Sequence, residues 1–328
     1  MNAGWKRDLL LAGVGLVLLA ALPALGASAA LRDFIMFGMA YALLSMSLNL
    51  LIGTTGLVSF GHAMFFATGA YAFGLAMQSG RFSIPLAFGF ALAFTAVVAL
   101  VIGAICVRLN EIYFAFLTLA FQMLIYNSIL GWVDFTGGDQ GLMGGIPRPV
   151  FLGINLADRF QLYLFCCVCF VVCLVILRQV TVSPFGATLR LIRDNHTRAA
   201  FLGINVYRAK LVAFVISACI AAVGGILLTL FVSGAYPNFA FWTTSGEAIF
   251  MILMGGSKVF LGPMVGTVLL RVLNDVSVAY TQHTELVLGI VILVFVLGLR
   301  KGVLDIVADW FESRRQAALR QLPDQKNR

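Results

Sequence analysis

Few residues in this chain have types and spacings that could do chemistry. Its three histidines, His62, His196 and His283, fall in separate segments, and no HExxH pair or GxSxG nucleophile elbow occurs. The six cysteines, Cys106, Cys166, Cys167, Cys169, Cys173 and Cys219, all lie inside apolar runs. Disulfide frameworks belong to exposed, loop-rich domains, so these read as small apolar residues. The Cys166 to Cys173 cluster has no histidine or carboxylate beside it to complete a metal site. The glycine-rich run from Thr136 to Pro147 lacks the lysine that a phosphate-binding loop requires. No enzyme active site is legible, and no cofactor is expected on this chain.

What remains is a segment suited to mechanical work. In Ser183-Pro-Phe-Gly-Ala-Thr-Leu-Arg-Leu-Ile-Arg-Asp-Asn195, Pro184 and Gly186 interrupt, and Ala187 to Arg193 reads as a short helix ending at Asp194-Asn195. A second short helix runs through Ala199 and Ala200 and stops at Gly203. Leu189, Ile192, Phe201 and Leu202 supply apolar anchors among Arg190, Arg193 and Arg198. Helices this short are marginal in water. The segment is therefore either a solvated loop with helical turns or a knob that fits a groove in a partner.

A second group comprises polar residues in or beside apolar runs: Asn49, His62, Gln122 and Glu247. A carboxylate in such a place costs a few kcal/mol unless it lines water or protein, so Glu247 is a candidate for a gate. Asn49, His62 and Gln122 suit either interhelical hydrogen bonds or a translocation pathway. Arg271 and Asp275, four apart, suit pairing on one helix face. Gly224, Gly225, Gly262 and Gly266 suit close helix packing.

The elements that position these groups must be membrane helices. Of 328 residues 61% are hydrophobic and 11% charged, against about 25% charged in a soluble domain. Apolar runs of the roughly 20 residues needed to span a bilayer occupy residues 9–30, 34–52, 61–77, 84–107, 112–132, 161–177, 211–232 and 260–279, with shorter ones at 245–256 and 286–299. The expected fold is all-α, a polytopic membrane protein of about ten transmembrane helices. Ala27-Ser28-Ala29 resembles a signal-peptide cleavage site, but the long first run and the immediate return to the membrane favour a retained span.

The net charge of +8 is an orientation signal, with no nucleic-acid motif beside it. On one side fall Lys6, Arg7, Arg108, Arg178, Arg190, Arg193, Arg198, Arg208, Lys210, Lys258 and a basic tail, 300–328; on the other only Arg32, Arg81, Arg148 and Arg159. Both termini and the interruption 178–210 are expected in the cytoplasm. The tail also suits association with anionic lipid. The glycine-containing, acidic loop 133–160 faces the opposite side, either to meet a soluble partner or as an ordered plug.

The ordered blocks Leu48-Asn-Leu-Leu-Ile-Gly-Thr-Thr-Gly-Leu-Val-Ser-Phe-Gly-His-Ala63, Ile112 to Gln122, Thr136 to Pro147 and Gly262-Pro-Met-Val-Gly266 resemble the branched-chain amino acid ABC transporter permease family, across residues 34–303. Within it the chain resembles the second permease subunit of the high-affinity leucine, isoleucine and valine importer type. Ser257-Lys258 departs from the small residues expected at that place. The resemblance implies an ABC importer permease fold, with residues 1–328 as a single transmembrane permease domain in a bacterial inner membrane. It implies a homologous second permease subunit, two cytoplasmic ATPase subunits that carry the ATP, and a periplasmic substrate-binding protein. It makes Arg190, Arg193, Asp194, Asn195, Arg198 and Gly203 the ATPase-coupling residues. A related importer of urea or short amides shares these blocks. An ion-coupled secondary transporter would need intramembrane carboxylates, for which only Glu247 and Asp275 qualify.

Overall fold

Each apolar run contains a helix in the computed structural model, which describes residues 3–21, 28–109, 111–142, 145–148, 150–151, 154–280, 283–298, 302–306, 309–310 and 314. The order is α1 (Ala3–Ala21), α2 (Ala29–Asn49) running into a wide π-helical turn (Leu50–Thr55), α3 (Ala63–Gln78), α4 (Ile84–Cys106), α5 (Glu111–Gly131) and the short α6 (Val133–Thr136). After a loop come α7 (Arg159–Val182), α8 (Pro184–Asp194), α9 (His196–Phe201), α10 (Val206–Val232), α11 (Trp242–Gly255), α12 (Gly262–Tyr280) and α13 (Thr284–Gly298). The loop carries a minimal hairpin, β1 (Val150–Phe151) antiparallel to β2 (Ile154–Asn155). The chain divides into two compact units, Met1–Ala248 and Ile249–Arg328.

Among the described residues five helical stretches are long and apolar enough to cross a membrane: Ala29–Thr55, Ile84–Cys106, Ile112–Gly131, Arg159–Val182 and Val206–Val232. The expected count of about ten is therefore not met on length and composition. The reason is visible in α3, which has 16 residues, all but two of them buried. A helix enclosed by protein need not match the thickness of the bilayer. α11 is shorter still, at 14 residues.

In the first unit α3 is enclosed by α4 and α10, with α2 packed along α10. The seam between α3 and α10 is a backbone contact. A Cβ at Gly225 would stand 1.9 Å from the Phe66 carbonyl oxygen of α3, and on the side facing α2 one at Gly224 would stand 2.7 Å from that of Ala40. Helices approach this closely only through small residues. Edge-to-face rings fill the space beside the seam, Phe214 lying 5.3 Å from Phe65 and 5.9 Å from Phe114 between centroids. The exposed residues of α4 are apolar throughout, including Leu86, Phe90, Phe94, Val97 and Val101. Such a face suits hydrocarbon.

The two ends of this unit differ in how they hold arginine. At one, the Arg108 guanidinium lies over the Tyr207 ring at 5.3 Å, and the Tyr207 hydroxyl donates to the Ala104 carbonyl at 3.2 Å. At the other, Arg148 donates to the Leu230 carbonyl and the Ser233 hydroxyl where α10 ends. A guanidinium there compensates the partial negative charge of the last carbonyls. Arg159 pairs with Asp33 at 3.7 Å, and Tyr163 donates to the Leu19 carbonyl at 2.8 Å. The loop between α6 and β1 is seated: Leu142 and Ile146 are buried, and Leu142 N–H donates to the Ala235 carbonyl at 2.8 Å. Ser28 accepts from Leu31 N–H and caps α2. Ala27, the first residue of the cleavage-like triplet, lies outside the described residues.

In the second unit a Cβ at Gly266 would stand 1.7 Å from the Met251 carbonyl oxygen, and one at Gly262 1.9 Å from that of Gly256. Asp305 accepts from the backbone N–H groups of Lys258 and Val259 at 3.3 and 3.2 Å. The turn thus uses the amide of Lys258, so an unexpected side chain there is tolerated. Arg271 and Asp275 pair at 3.3 Å. The basic tail begins as part of this unit, with helical residues 303–306; residues 315–328 lie outside the described residues.

Candidate functional site

The loop between the π-helical turn and α3 is irregular yet buried, with Leu57, Ser59 and Gly61 all inaccessible. Irregular backbone at membrane depth is tolerated only where protein surrounds it. A Cβ at Gly61 would stand 2.1 Å from the Thr118 carbonyl oxygen, so the loop presses its backbone directly on α5. His62 follows, fully buried, with Nε2 at 2.9 Å from Ser47 Oγ of α2 and 3.2 Å from Ser217 Oγ of α10. Both hydroxyls have carbonyl acceptors, Leu44 for Ser47 and Ser47 for Ser217. The tautomer with its proton on Nε2 fits these partners, and in it Nδ1 is an acceptor. Next to it, Ala63 N–H donates to Ser245 Oγ of α11 at 2.8 Å, and Ser245 donates to Gln122 Oε1 of α5 at 2.7 Å.

Five helices thus meet at His62 and Ala63. His62 Nδ1 and Gln122 Nε2 are buried without a hydrogen-bond partner among the described residues. The Ser–His contact does not make a nucleophile, because both hydroxyls already donate to carbonyls and no group orients Nδ1. It joins helices. The sequence-predicted pair His62 and Gln122 is brought to one place. Asn49 sits half-buried at the end of α2. Glu247 is exposed, and two residues past Ser245 it leaves α11 on the opposite side. Ser47, Ser217 and Ser245 were not singled out by sequence reasoning, since a lone hydroxyl in an apolar run carries little signal. Ser245→Ala is expected to lower stability by about 1–3 kcal/mol, because it leaves the Ala63 amide and Gln122 Oε1 unsatisfied. A thermal melt in detergent checks this; an unchanged midpoint would show that the junction contributes nothing.

The second candidate site is the α8–α9 segment. α7 runs on to Val182 and α10 begins at Val206, so Arg178, Arg208 and Lys210 belong to the long helices. Ser183 accepts from Gly186 N–H to cap α8, Pro184 occupies its first turn, and Asn195 Oδ1 accepts from Arg198 N–H at 2.8 Å to cap α9. Gly203, at φ +83°, takes the left-handed conformation that ends α9.

The four expected anchors divide. Leu189 and Ile192 are 0% and 3% exposed against the chain itself, whereas Phe201 is 89% and Leu202 68% exposed. The basic residues divide as well. Arg190 donates to the Thr181 carbonyl at 2.7 Å, and Arg193 donates to the Gly53 carbonyl while packing on Gly56. Asp194 and Arg198 are exposed. Arg190 and Arg193 therefore fix α8 to the end of α7 and to the π-helical turn of α2. A polar cavity of about 220 Å³ lies beneath, lined by Thr55, Gly56, Arg193, Asn195 and Lys210 among others.

Five long apolar stretches, with a buried polar junction among helices and a short helix pair at one end, are those of a polytopic membrane protein. The chain belongs to the family described as branched-chain amino acid transport system, permease component, which matches residues 30–297. It is an ABC transporter permease. It is 24% identical over 309 residues to the high-affinity branched-chain amino acid transport system permease protein LivM of Escherichia coli K12, covering 87% of this chain and 72% of that one. To the corresponding permease protein LivH of Salmonella typhimurium it is 23% identical, covering 81% and 92%. To the autoinducer 2 import system permease protein LsrC of an Enterobacter species it is 27% identical, covering 81% and 75%. No solved structure gives a significant match.

Proposed function

We propose that this chain is the membrane-spanning subunit of an ATP-driven importer for branched-chain amino acids. In this reading it has the ABC importer permease fold, crosses the inner membrane ten times and keeps both termini and α8–α9 in the cytoplasm. It pairs with a homologous permease, stands on two ATPase subunits that hold the ATP, and receives substrate from a periplasmic binding protein. The similarity to proteins named for branched-chain amino acid transport supports the substrate class. The gathering of Arg108 beside Tyr207 at the end carrying α8, away from Arg148 and Arg159, supports the orientation.

The observation that carries the coupling role is the contrast within one segment. Leu189 and Ile192 lock α8 to the chain while Phe201 and Leu202 stand free of it. An apolar pair held rigidly in water is the form of a helix awaiting a groove. A displacement of α8 reaches the π-helical turn through Arg193 and Gly53, and the loop that follows ends at His62, where five helices meet. ATPase closure would thereby shift α2 and α3 against α5, α10 and α11, biasing two arrangements of the pathway. Glu247, exposed on α11, and Asn49 and Gln122 are assigned to the pathway or its gate.

Affinity purification of the intact chain, with its partners identified by mass spectrometry, tests the assembly. The expected result is recovery of a second permease and P-loop ATPases, together with ATP-dependent uptake of leucine, isoleucine and valine in vesicles containing the binding protein. Recovery of the chain alone, still transporting without ATP, would overturn the reading in favour of ion-coupled transport.

A further inference from the structure

We propose that the cleft between α4 and α5 is a binding site for one acyl chain of a membrane phospholipid. The cleft is a cavity of about 370 Å³. Its floor is α3, through Thr68, Tyr71, Ala72 and Leu75; its walls are Phe90, Phe94 and Val98 of α4 and Ile125, Ser128 and Ile129 of α5. Trp132 and Phe135 stand at one end of it, both largely exposed.

The chemistry of the lining selects the occupant. Every hydroxyl that reaches the cavity wall from Thr68, Ser128 or Thr136 is already donated to a backbone carbonyl, those of Met64, Leu124 and Trp132, at 2.6, 2.8 and 2.8 Å. The Tyr71 hydroxyl has no hydrogen-bond partner among the described residues, but it is covered by protein and does not open on the cavity. The cavity therefore shows carbon to its contents. A free amino acid, with an ammonium and a carboxylate to satisfy, would lose its hydration there and gain no partner, so this is not a transport site. An acyl chain loses nothing.

Position argues the same way. The cleft opens beside the exposed face of α4, whose residues are apolar from Leu86 to Ile105, so the solvent at its mouth is lipid. Exposed Trp132 is a residue type that settles at the membrane–water boundary, which places the glycerol end of the lipid at that rim. From Arg81 a ladder of rings leads inward, Phe82 to Phe90 at 5.6 Å and Phe90 to Phe94 at 6.2 Å between centroids. It gives the chain a continuous apolar wall to lie along.

The test uses the full chain purified in mild detergent, with retained phospholipid counted by native mass spectrometry. The expected result is one phospholipid per chain that survives delipidating washes, with occupancy falling at least tenfold in Ala72→Phe, which fills the floor, and in Ser128→Phe, which blocks the wall. Because Ala72 is buried, Ser128→Phe at an exposed position keeps the test open should Ala72→Phe fail to fold. In parallel, a chain retaining Trp132 as its only tryptophan is titrated with phosphatidylcholine carrying brominated acyl chains, and strong quenching at about one lipid per chain is expected. Equal lipid retention in the parent and in a folded Ser128→Phe variant would overturn the proposal. So would loss of all lipid from the parent on washing, or displacement of the lipid when a partner permease binds.

Discussion

Phe201→Asp combined with Leu202→Asp is expected to reduce ATP-driven uptake at least 30-fold while leaving the chain inserted and folded. At 89% and 68% exposure the two side chains hold nothing of their own protein together, so removing them costs the fold little. If they are the apolar anchors of the ATPase contact, each behaves as an interface hot spot, for which truncation costs about 2 kcal/mol or more, or roughly 30-fold in affinity. A buried aspartate would cost more than truncation does. The measurement is uptake in reconstituted vesicles together with retention of the ATPase subunits on the purified chain. Leu189→Asp supplies the contrast, since Leu189 is inaccessible and its replacement should lower the melting midpoint before any question of coupling arises. Normal uptake by the Phe201 and Leu202 variant would remove α9 from the coupling role.

Gly225→Ala is expected to cost about 3 kcal/mol or more, at the upper end of what overpacking costs. The added Cβ would meet the Phe66 carbonyl oxygen at 1.9 Å, its carbon at 2.8 Å and the Ala70 nitrogen at 3.2 Å. All three are backbone atoms of α3, so no rotamer change relieves the contact and the helices themselves must separate. Thermal unfolding in detergent, read by the fraction remaining monodisperse, measures it. Gly246→Ala is the control, because a Cβ there meets nothing within 4 Å. Equal loss in both variants would mean that handling, and not the seam, sets the result, since Gly→Ala by itself favours a helix.

The contrast between these two sites shows what the sequence made legible. Asn195 and Gly203 punctuate the α8–α9 segment as their backbone preferences require, whereas Pro184 and Gly186 do not interrupt it: Pro184 opens α8 and Gly186 lies inside it, so the helix begins three residues before the expected Ala187. The same text did not reveal that Arg193 is spent on Gly53. Its acceptor is a backbone carbonyl far away in the chain, and every residue type offers one. Nor did it separate the helices that face lipid from α3, which faces protein. Hydrocarbon and a packed core are equally apolar, so periodicity is nearly erased when a helix is buried on all sides. Of the ten apolar runs, five coincide with stretches that qualify on length and composition among the described residues. Charge pairing was easier: Arg271 and Asp275, four apart on a helix, meet as their spacing requires. Asp305, which holds the turn at Lys258 and Val259, was hidden in a segment read only as a basic tail.

The enclosure of α3 has a consequence for how the chain is made. Its largest partner is α10, which leaves the ribosome long after α3 has been synthesised, on the order of ten seconds later at ordinary elongation rates. Throughout that interval the seam at Phe66 and Ala70 has no glycines to receive it, and His62 lacks Ser217. The nascent α3 must wait against lipid or the insertion machinery, and the unit closes only when α10 arrives. A chain truncated before Val206 therefore keeps four stretches long and apolar enough to span a membrane but leaves its central helix without its largest partner.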